Sequence, residues 1–362
     1  MTQPVILDDP AAMRALDPRD MTGLLTAFPA QCREAVRIGS AFGLPAPGQR
    51  PIHQAVVGGL GGSAIGGDLL RCLMEADGEV PLVVNRGYTV PHFVGKETLF
   101  LAASYSGNTE ETLAQYDQAR HYRARIVCIT SGGELAQRAE ADRVPVCRIP
   151  GGQPPRSATG YLFFPALAIL QKRGLLARSL DPDVTEAISL LDRVRATCGP
   201  EVPTAMNPAK QLAAELYGRV AVIYGSSPAR GVVALRWKTQ LNENAKQHAF
   251  AGAFPEIDHN EILAWTYARR QAARWSVVYL RDPDERLAAP RLARRVETTK
   301  KVIGRGVRNH EVRAEGGSPL ARLLYLIYLG DLMSLYLAFL NGVDPTDIAG
   351  IDRLKADLAR MK

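Results

Sequence analysis

The sequence predicts an α/β protein with two lobes, each a parallel β-sheet flanked by helices in a doubly wound arrangement. From about residue 52, short apolar runs of strand length alternate with helix-like stretches, which is the pattern of repeated βαβ units. Strands of a parallel sheet read as continuous apolar runs because helices cover both faces. The pattern returns at RVAVIYGSS, residues 219–227, where a strand again enters a Gly/Ser turn and a helix. A second lobe is therefore expected.

These patterns divide the chain into four predicted segments. They are an N-terminal helical segment at 1–50 that ends in the loop LPAPGQ, a first lobe at 51–150, a connecting loop with helices at 151–217, and a second lobe with C-terminal helices at 218–362. The predicted strands lie in AVVGGL, PLVVN, TLFLAASY, ARIVCIT and VPVCRIP of the first lobe, and in RVAVIYGSS, ARWSVVYLRD and GVRNHEVRAE of the second. The lobes share a strand–turn–helix form, so a duplication is expected at the level of fold.

Composition narrows the class of protein. The 362 residues are 46% hydrophobic and 22% charged, enough to bury a core without disulfides or metals. The net charge of +7 is spread along the chain, which suits a small anionic ligand, and no basic and aromatic pattern indicates nucleic acid. Five scattered cysteines without a C-x-x-C pair are typical of reduced thiols. The N-terminus lacks the pattern of a signal peptide, so a cytoplasmic location is expected.

One apolar segment, residues 320–340, is long enough to span a bilayer. It carries Arg322, Gly330 and Asp331, and an uncompensated aspartate in mid-bilayer is costly. We therefore predict a buried helix, at a subunit interface or in a core, and no membrane partner.

The first strand runs into GGLGGSAIGGD, residues 58–68. Glycines let the backbone turn tightly and direct N–H groups of a helix N-terminus at an anion. A dinucleotide-binding turn and a plain tight turn would give the same pattern.

A second loop narrows that choice. SYSGNTEET, residues 104–112, brings three hydroxyls to a junction between strand and helix, and a simple helix cap would use only one. A third loop that joins a strand to a helix lies in ITSGGELAQRA, residues 129–139. Ligands of open parallel sheets bind beyond the carboxyl ends of the strands, where all three loops lie. Together they predict a ligand that carries a phosphate.

Further motifs support a family resemblance. GLGGSAIGGD followed by ASYSGNTEET resembles the sugar isomerase (SIS) domain. LNENAK at 241–246, PEIDHNEI at 255–262 and YLGDLMSLYLAFLNGVDPTDI at 328–348 resemble the bifunctional phosphoglucose/phosphomannose isomerases. The similarity extends from about residue 20 to the C-terminus.

This resemblance implies two SIS lobes of the flavodoxin-like type and a homodimer with shared active sites. It implies conversion of hexose 6-phosphates, namely glucose 6-phosphate and mannose 6-phosphate, to fructose 6-phosphate through a cis-enediol, with no metal or organic cofactor. By motif match, the substrate-binding residues are Gly62, Ser63, Ser104, Ser106, Thr109 and Arg156. The match makes Glu243 the base, His259 the ring-opening residue and Lys355 an active-site lysine.

Each catalytic assignment has a plainer alternative. Glu243 can move a proton between sugar carbons and is expected near the ligand ends of the sheets, but most glutamates are solvated helix residues. The imidazole of His259 can give and take a proton, yet it could be structural, or a metal ligand with nearby acidic residues that lack the spacing H-E-x-x-H. Arg156 offers a fixed fork of donors or a structural ion pair. Lys355 could be a surface lysine.

Two other functions fit the same loops. A non-catalytic SIS regulator would bind the sugar phosphate without turnover, although Glu243 and His259 are both present and no helix-turn-helix extension is seen. The other is an isomerase for another phosphosugar, such as an aminosugar isomerase that forms glucosamine 6-phosphate. That enzyme needs an ammonia source, and the sequence shows no glutaminase-like N-terminal Cys domain. The choice between glucose and mannose epimers stays open, with Thr346 as a candidate contributor.

Overall fold

A computed structural model of the chain describes residues 5–46, 50–358 and 360. The end of the predicted loop LPAPGQ and the first four residues of the predicted N-terminus lie outside this range. The helices are α1 Pro10–Leu16, α2 Met21–Thr26, α3 Phe28–Ala41, α4 Gly61–Asp77, α5 Glu110–His121, α6 Gly133–Ala141, α7 Thr159–Lys172, α8 Asp181–Cys198, α9 Pro208–Leu216, α10 Pro228–Glu243, α11 Trp265–Ala268, α12 Glu285–Ala288, α13 Pro290–Ile303, α14 Pro319–Leu340 and α15 Ala349–Leu358. The strands are β1 Gln54–Gly58, β2 Leu82–Asn85, β3 Thr98–Ala103, β4 Arg125–Thr130, β5 Val146–Arg148, β6 Val220–Gly225, β7 Ala249–Ala253, β8 Trp275–Arg281 and β9 Arg308–Arg313.

The first sheet is parallel throughout and has the strand order β2-β1-β3-β4-β5. This is the flavodoxin-like order, and its five strands fall in the five apolar runs that the sequence predicts. Helices α5 and α6 bury one face of the sheet, where Phe100 and Tyr116 belong to the core. Helices α4, α7 and α3 form the other packed group.

The second sheet is also parallel, with the order β7-β6-β8-β9. Counted from its own first strand this is 2-1-3-4, which repeats the first four strands of the first sheet. The duplication expected from the sequence is therefore present in the strand order. The sequence prediction missed β7, whose residues AFAGA contain no β-branched side chain and so carry a weak strand signal.

The two faces of the second sheet carry different elements. Strand β7 lies on one side of β6, and β9 lies beyond β8 on the other side. Because crossover connections are right-handed, connections that run in opposite directions cover opposite faces. Helix α10 therefore covers one face. Helix α13 and the segment 254–274 cover the other, where Ile257, Trp265 and Val296 join the core.

The chain forms two compact units. The β1–β5 unit contains Ala27–Ser189 with Gly317–Ala321, and the β6–β9 unit contains the preceding N-terminal residues, Leu190–Gly316 and the chain from Arg322 onward. Helix α3 belongs with the first sheet because it packs along α7. The predicted boundaries of the four sequence segments stay a prediction.

Helix α14 is the apolar segment that the sequence singles out. Among the described residues it is the one helix long and apolar enough to cross a bilayer, and 94% of an apolar stretch of 18 residues within it is buried inside the protein. Its Asp331 pairs with Arg236 of α10, with Nη2 and Oδ2 2.8 Å apart. The aspartate is thus compensated by a buried arginine. All five cysteines are buried and free.

Candidate active site

The glycine-rich and hydroxyl-rich loops lie side by side in the β1–β5 unit. Strands β1 and β3 are neighbours, and Gly58 at the end of β1 is in register with Ala102 near the end of β3. The strand after β1 in sequence, β2, pairs on the far side of β1. The order of strands reverses at this point, and such switch points are where ligands bind in open parallel sheets.

The loop after β1 uses glycine for two reasons. Gly61 has φ of +52°, a left-handed conformation, and a Cβ built there would meet nothing within 4 Å. A Cβ on Gly62 would lie 2.7 Å from the Pro155 carbonyl oxygen and 3.3 Å from Cα of Arg156. Only glycine at 62 therefore lets α4 begin directly against the turn that carries Arg156, a side chain that is only 4% exposed.

Three of the predicted phosphate ligands are brought together at the start of α5. The hydroxyl oxygens of Ser104 and Thr109 are 2.9 Å apart, and the Ser104 oxygen accepts a bond from the Gly107 N–H at 3.1 Å. Across the cradle, the N–H of Tyr105 donates to the Ser63 hydroxyl at 3.4 Å. The two loops thus form one cradle lined by hydroxyls.

The plain helix-cap alternative does not describe this junction. Thr109 is the N-cap of α5, yet its side chain makes no hydrogen bond to the first turn of the helix and pairs with Ser104 instead. Ser106 is exposed, and its hydroxyl accepts from the Asn108 N–H at 3.2 Å. N–H groups at the start of a helix that the N-cap side chain does not satisfy attract an anion.

The third loop supports the cradle. The Ser131 hydroxyl donates its proton to the Tyr105 carbonyl at 2.7 Å. This proton therefore already has a protein acceptor. Gly107 has φ of +73°, and a Cβ there would lie 1.8 Å from the Gly132 carbonyl oxygen. The loop after β4 therefore holds the loop after β3 in place through a close backbone approach.

At the carboxyl ends of the strands of the second sheet, the side chains form ion pairs. At the end of β6 and β8, the Arg230 Nε lies 3.1 Å from the Asp282 carboxylate. Arg281 is fully buried and pairs with three carboxylates, those of Glu285, Glu297 and Glu311. Protein carboxylates thus satisfy the cationic groups at this edge, and the first sheet offers the hydroxyl-lined cradle.

Glu243 does not lie at the ligand ends of the second sheet, where it is expected from the sequence. It is the last residue of α10, and a helix that follows a parallel strand runs back toward the amino ends of the sheet. Gln247, four residues on, donates to the carbonyl of Arg219 just before β6, at 2.7 Å. Glu243 is therefore at the amino ends of the second sheet and not at its ligand ends. It is half-buried.

His259 lies on the opposite face of the same sheet. It ends the short 3₁₀ turn Glu256–His259 and is exposed, while its neighbour Ile257 is buried in the core. The Asp258 carboxylate accepts from the Thr299 hydroxyl of α13 at 2.9 Å and pairs with Arg295. These contacts fix the turn to α13, on the face of the sheet away from α10.

The acidic side chains around His259 are engaged with other protein groups. Asp258 binds α13, and Glu261 accepts from the Tyr224 hydroxyl at 2.7 Å. Burial, followed by this bond to Glu261, raises the pKa of Tyr224 well above its ordinary value. Across the residues that the structure describes, no group of three histidine, cysteine or acidic side chains is arranged to hold a metal ion.

Lys355 belongs to the C-terminal helix α15. Every residue of this helix is exposed, Lys355 included. The helix follows the turn at Thr346, whose hydroxyl accepts from Arg19 at 2.9 Å and contacts Asp344 at 2.5 Å.

Two parallel sheets of the same strand order, one with a glycine- and hydroxyl-lined cradle at its switch point, define a protein of the sugar isomerase (SIS) class. The model of the bacterial phospho-glucose isomerase C-terminal SIS domain matches residues 205–358. The crystal structure of a hypothetical protein from Thermus thermophilus shares the fold with a TM-score of 0.74, over 98% of this chain and 94% of that chain, at 18% identity.

Curated relatives define the family more closely. The bifunctional phosphoglucose/phosphomannose isomerase of Caldicellulosiruptor bescii is 41% identical over 337 residues, which cover 92% of this chain and 98% of that protein. The protein of the same name from Thermoplasma volcanium is 37% identical, over 84% of this chain and 91% of its own. The chain belongs to the bifunctional phosphoglucose/phosphomannose isomerase family. The predicted family, fold class and enzyme class are confirmed, and the individual site residues stay predictions.

Proposed function

We propose that this protein interconverts glucose 6-phosphate and mannose 6-phosphate with fructose 6-phosphate. The observation that carries the proposal is the cradle at the switch point of the first sheet, where Ser63, Ser104 and Thr109 converge at the N-termini of two helices. Hydroxyls and helix N–H groups are suited to the oxygens of a phosphate monoester. Arg156 is buried, its backbone lies against Gly62, and it is the permanent positive charge that we propose for this site.

The chemistry requires an open sugar chain and a proton carrier. His259 can donate a proton to the ring oxygen and accept one from the C1 hydroxyl, because an imidazole can act both as a proton donor and as a proton acceptor. Glu243 removes the proton from C2 of the aldose and returns it to C1 on the same face of a cis-enediol. Arg156 and Lys355 stabilise the negative charge that develops on the enediolate. No step needs a metal or an organic cofactor.

We propose that the protein is a homodimer with shared active sites. The support is that Glu243 ends the helix on one face of the second sheet, whereas His259 is fixed to α13 on the opposite face. Within one chain the sheet separates them, so a site that uses both requires the His259 of a second copy. Dimers with twofold symmetry then carry two such sites.

A coupled assay tests the activity. The purified protein is given glucose 6-phosphate or mannose 6-phosphate, and fructose 6-phosphate is measured as it forms. Turnover of both aldoses supports the proposal. Binding of all three phosphosugars without turnover would instead support a non-catalytic regulator, and turnover of an aminosugar phosphate alone would indicate another isomerase.

We also propose a cytoplasmic location and no nucleic-acid or membrane partner. The five buried free thiols support the cytoplasmic location, because oxidising compartments favour disulfides. Fractionation of cells with an antibody to the protein tests this. Recovery in the membrane or periplasmic fraction would contradict it.

A further inference from the structure

We propose that Asn244, acting through Ser334, is a positioning residue for the carboxylate of Glu243. The inference rests on the proposed function, in which Glu243 is the base. Asn244 directly follows Glu243 and is the C-cap of α10, with its backbone N–H bonded to the Gln240 carbonyl at 2.8 Å. It is completely buried, although asparagine is usually an exposed residue.

The side chain of Asn244 reaches across to α14. Its Nδ2 donates to the Ser334 hydroxyl at 2.9 Å, and that hydroxyl donates to the carbonyl of Asp331 at 2.7 Å. Both Asn244 and Ser334 are inaccessible to solvent. A polar pair in such a place is kept only when its bonds are made, because an unsatisfied buried amide is costly.

The far end of this chain of bonds is fixed by a buried ion pair. Asp331 receives two bonds from Arg236, which lies on α10 two turns before Glu243. Burial raises the pKa of the Asp331 carboxyl, and Arg236 opposes that shift. Helices α10 and α14 are thus joined by Arg236 within α10 and by Asn244 at its end, and the Trp237 indole N–H of α10 also donates to the Leu326 carbonyl of α14 at 2.8 Å.

This arrangement matters because helix ends fray and their last carbonyls lack partners. Glu243 is the last residue of α10. Any movement of the C-terminal end of this helix therefore also moves the Glu243 carboxylate. Its own carbonyl accepts from Lys246 at 2.5 Å, and Asn341 of the loop after α14 donates to the Ala245 carbonyl at 2.9 Å. Lys246 and Asn341 therefore hold the backbone carbonyls of the turn that follows Glu243. Asn244 also holds this turn, and its side chain is fully buried.

The test compares kcat and KM of Asn244→Ala, Ser334→Ala and the double variant. We expect each single variant to lower kcat by about 10- to 100-fold with KM within about threefold, because misplacement by 1 Å can cost that much. The double variant should lose no more than the worse single one, since both act through one bond. Independent, multiplying losses would overturn the proposal.

Asn207→Ala is the matched control. Asn207 is also fully buried, caps helix α9 of the same unit and bonds the Lys210 N–H at 3.0 Å. Its loss should lower the melting temperature about as much as the loss of Asn244 while leaving kcat unchanged. If Asn244→Ala behaves like Asn207→Ala, with a lower melting temperature and an unchanged kcat, the positioning role is wrong. Retained turnover in Glu243→Gln would instead overturn the proposed role of the base itself, so the two failures are distinguishable.

Discussion

The hydroxyl oxygens of Ser104 and Thr109 lie 2.9 Å apart at the start of α5, where the Thr109 side chain leaves the first turn of the helix uncapped. A phosphate can replace this mutual bond with bonds from both hydroxyls and from the helix N–H groups. The pair is therefore the most direct structural sign of a phosphate site.

Replacing Thr109 by valine should weaken binding of the substrate. The change keeps the shape and removes one hydroxyl, and a hydrogen bond to a charged group contributes about 1.5–3 kcal/mol. We expect KM for fructose 6-phosphate to rise by roughly 10- to 100-fold, with a smaller change in kcat. Thr185→Val, which removes an exposed hydroxyl on α8 of the same unit, should leave both constants unchanged. An unaltered KM in Thr109→Val would remove this hydroxyl from the site.

Gly107→Ala should destabilise the protein more than an ordinary glycine change. The positive φ alone costs roughly 1–2 kcal/mol for alanine, and the new Cβ would overlap the Gly132 carbonyl oxygen. Gly174 also has a positive φ, of +66°, but a Cβ there meets nothing within 4 Å. Thermal unfolding should therefore show a clearly larger loss for Gly107→Ala than for Gly174→Ala. Equal losses would mean that the loops after β3 and β4 are not held together as described.

Mixing two inactive variants tests the shared site. Glu243→Gln and His259→Ala are each expected to be inactive when pure. After subunit exchange, half of the dimers should be mixed, and each mixed dimer should hold one intact site. Activity should then recover to about a quarter of the wild-type value. No recovery, with exchange verified by mass spectrometry, would mean that both residues act within one chain.

Acid pH should weaken the protein through Glu297. The bond from Arg281, its largest influence, holds the pKa of this carboxyl below its ordinary value of 4.5. A carboxyl with a lowered folded pKa contributes stability above its unfolded pKa, and this contribution disappears as pH falls through the folded pKa. Chemical unfolding from pH 7 to 3 should therefore show a shallower acid loss in Glu297→Gln than in the wild type. Asp352→Asn on the exposed helix α15 should keep the wild-type slope, and an unchanged slope in Glu297→Gln would contradict the assignment.

The pattern of apolar runs was sufficient to predict the strands of the first sheet, because every one is a β-branched or large apolar segment between turn residues. Strand β7 was not predicted because AFAGA has no β-branched residue and only one buried residue, so it is held by its pairing with β6 and not by its own propensity. The cradle residues were found because hydroxyls and glycines cluster within a few positions along the chain.

The surroundings of Glu243 required the structure. From the sequence, this residue is expected at the ligand ends of the sheet, but a helix of 16 residues, about 24 Å long, returns its last residue to the amino ends. The partners Asn244 and Ser334 are 90 positions apart, so no local pattern links them. The one available signal was Asp331 in an apolar helix, which demands a buried cation such as Arg236.

The role of Glu243 is tested most directly by Glu243→Gln, in which one oxygen of the proton-transfer group is replaced by an amide nitrogen. With glucose 6-phosphate, mannose 6-phosphate and fructose 6-phosphate, we expect turnover to fall by roughly 10³-fold or more, while titration calorimetry still shows fructose 6-phosphate binding within about threefold of the wild-type affinity. Turnover at the wild-type rate with any of the three sugars would contradict the assignment of Glu243 as the base.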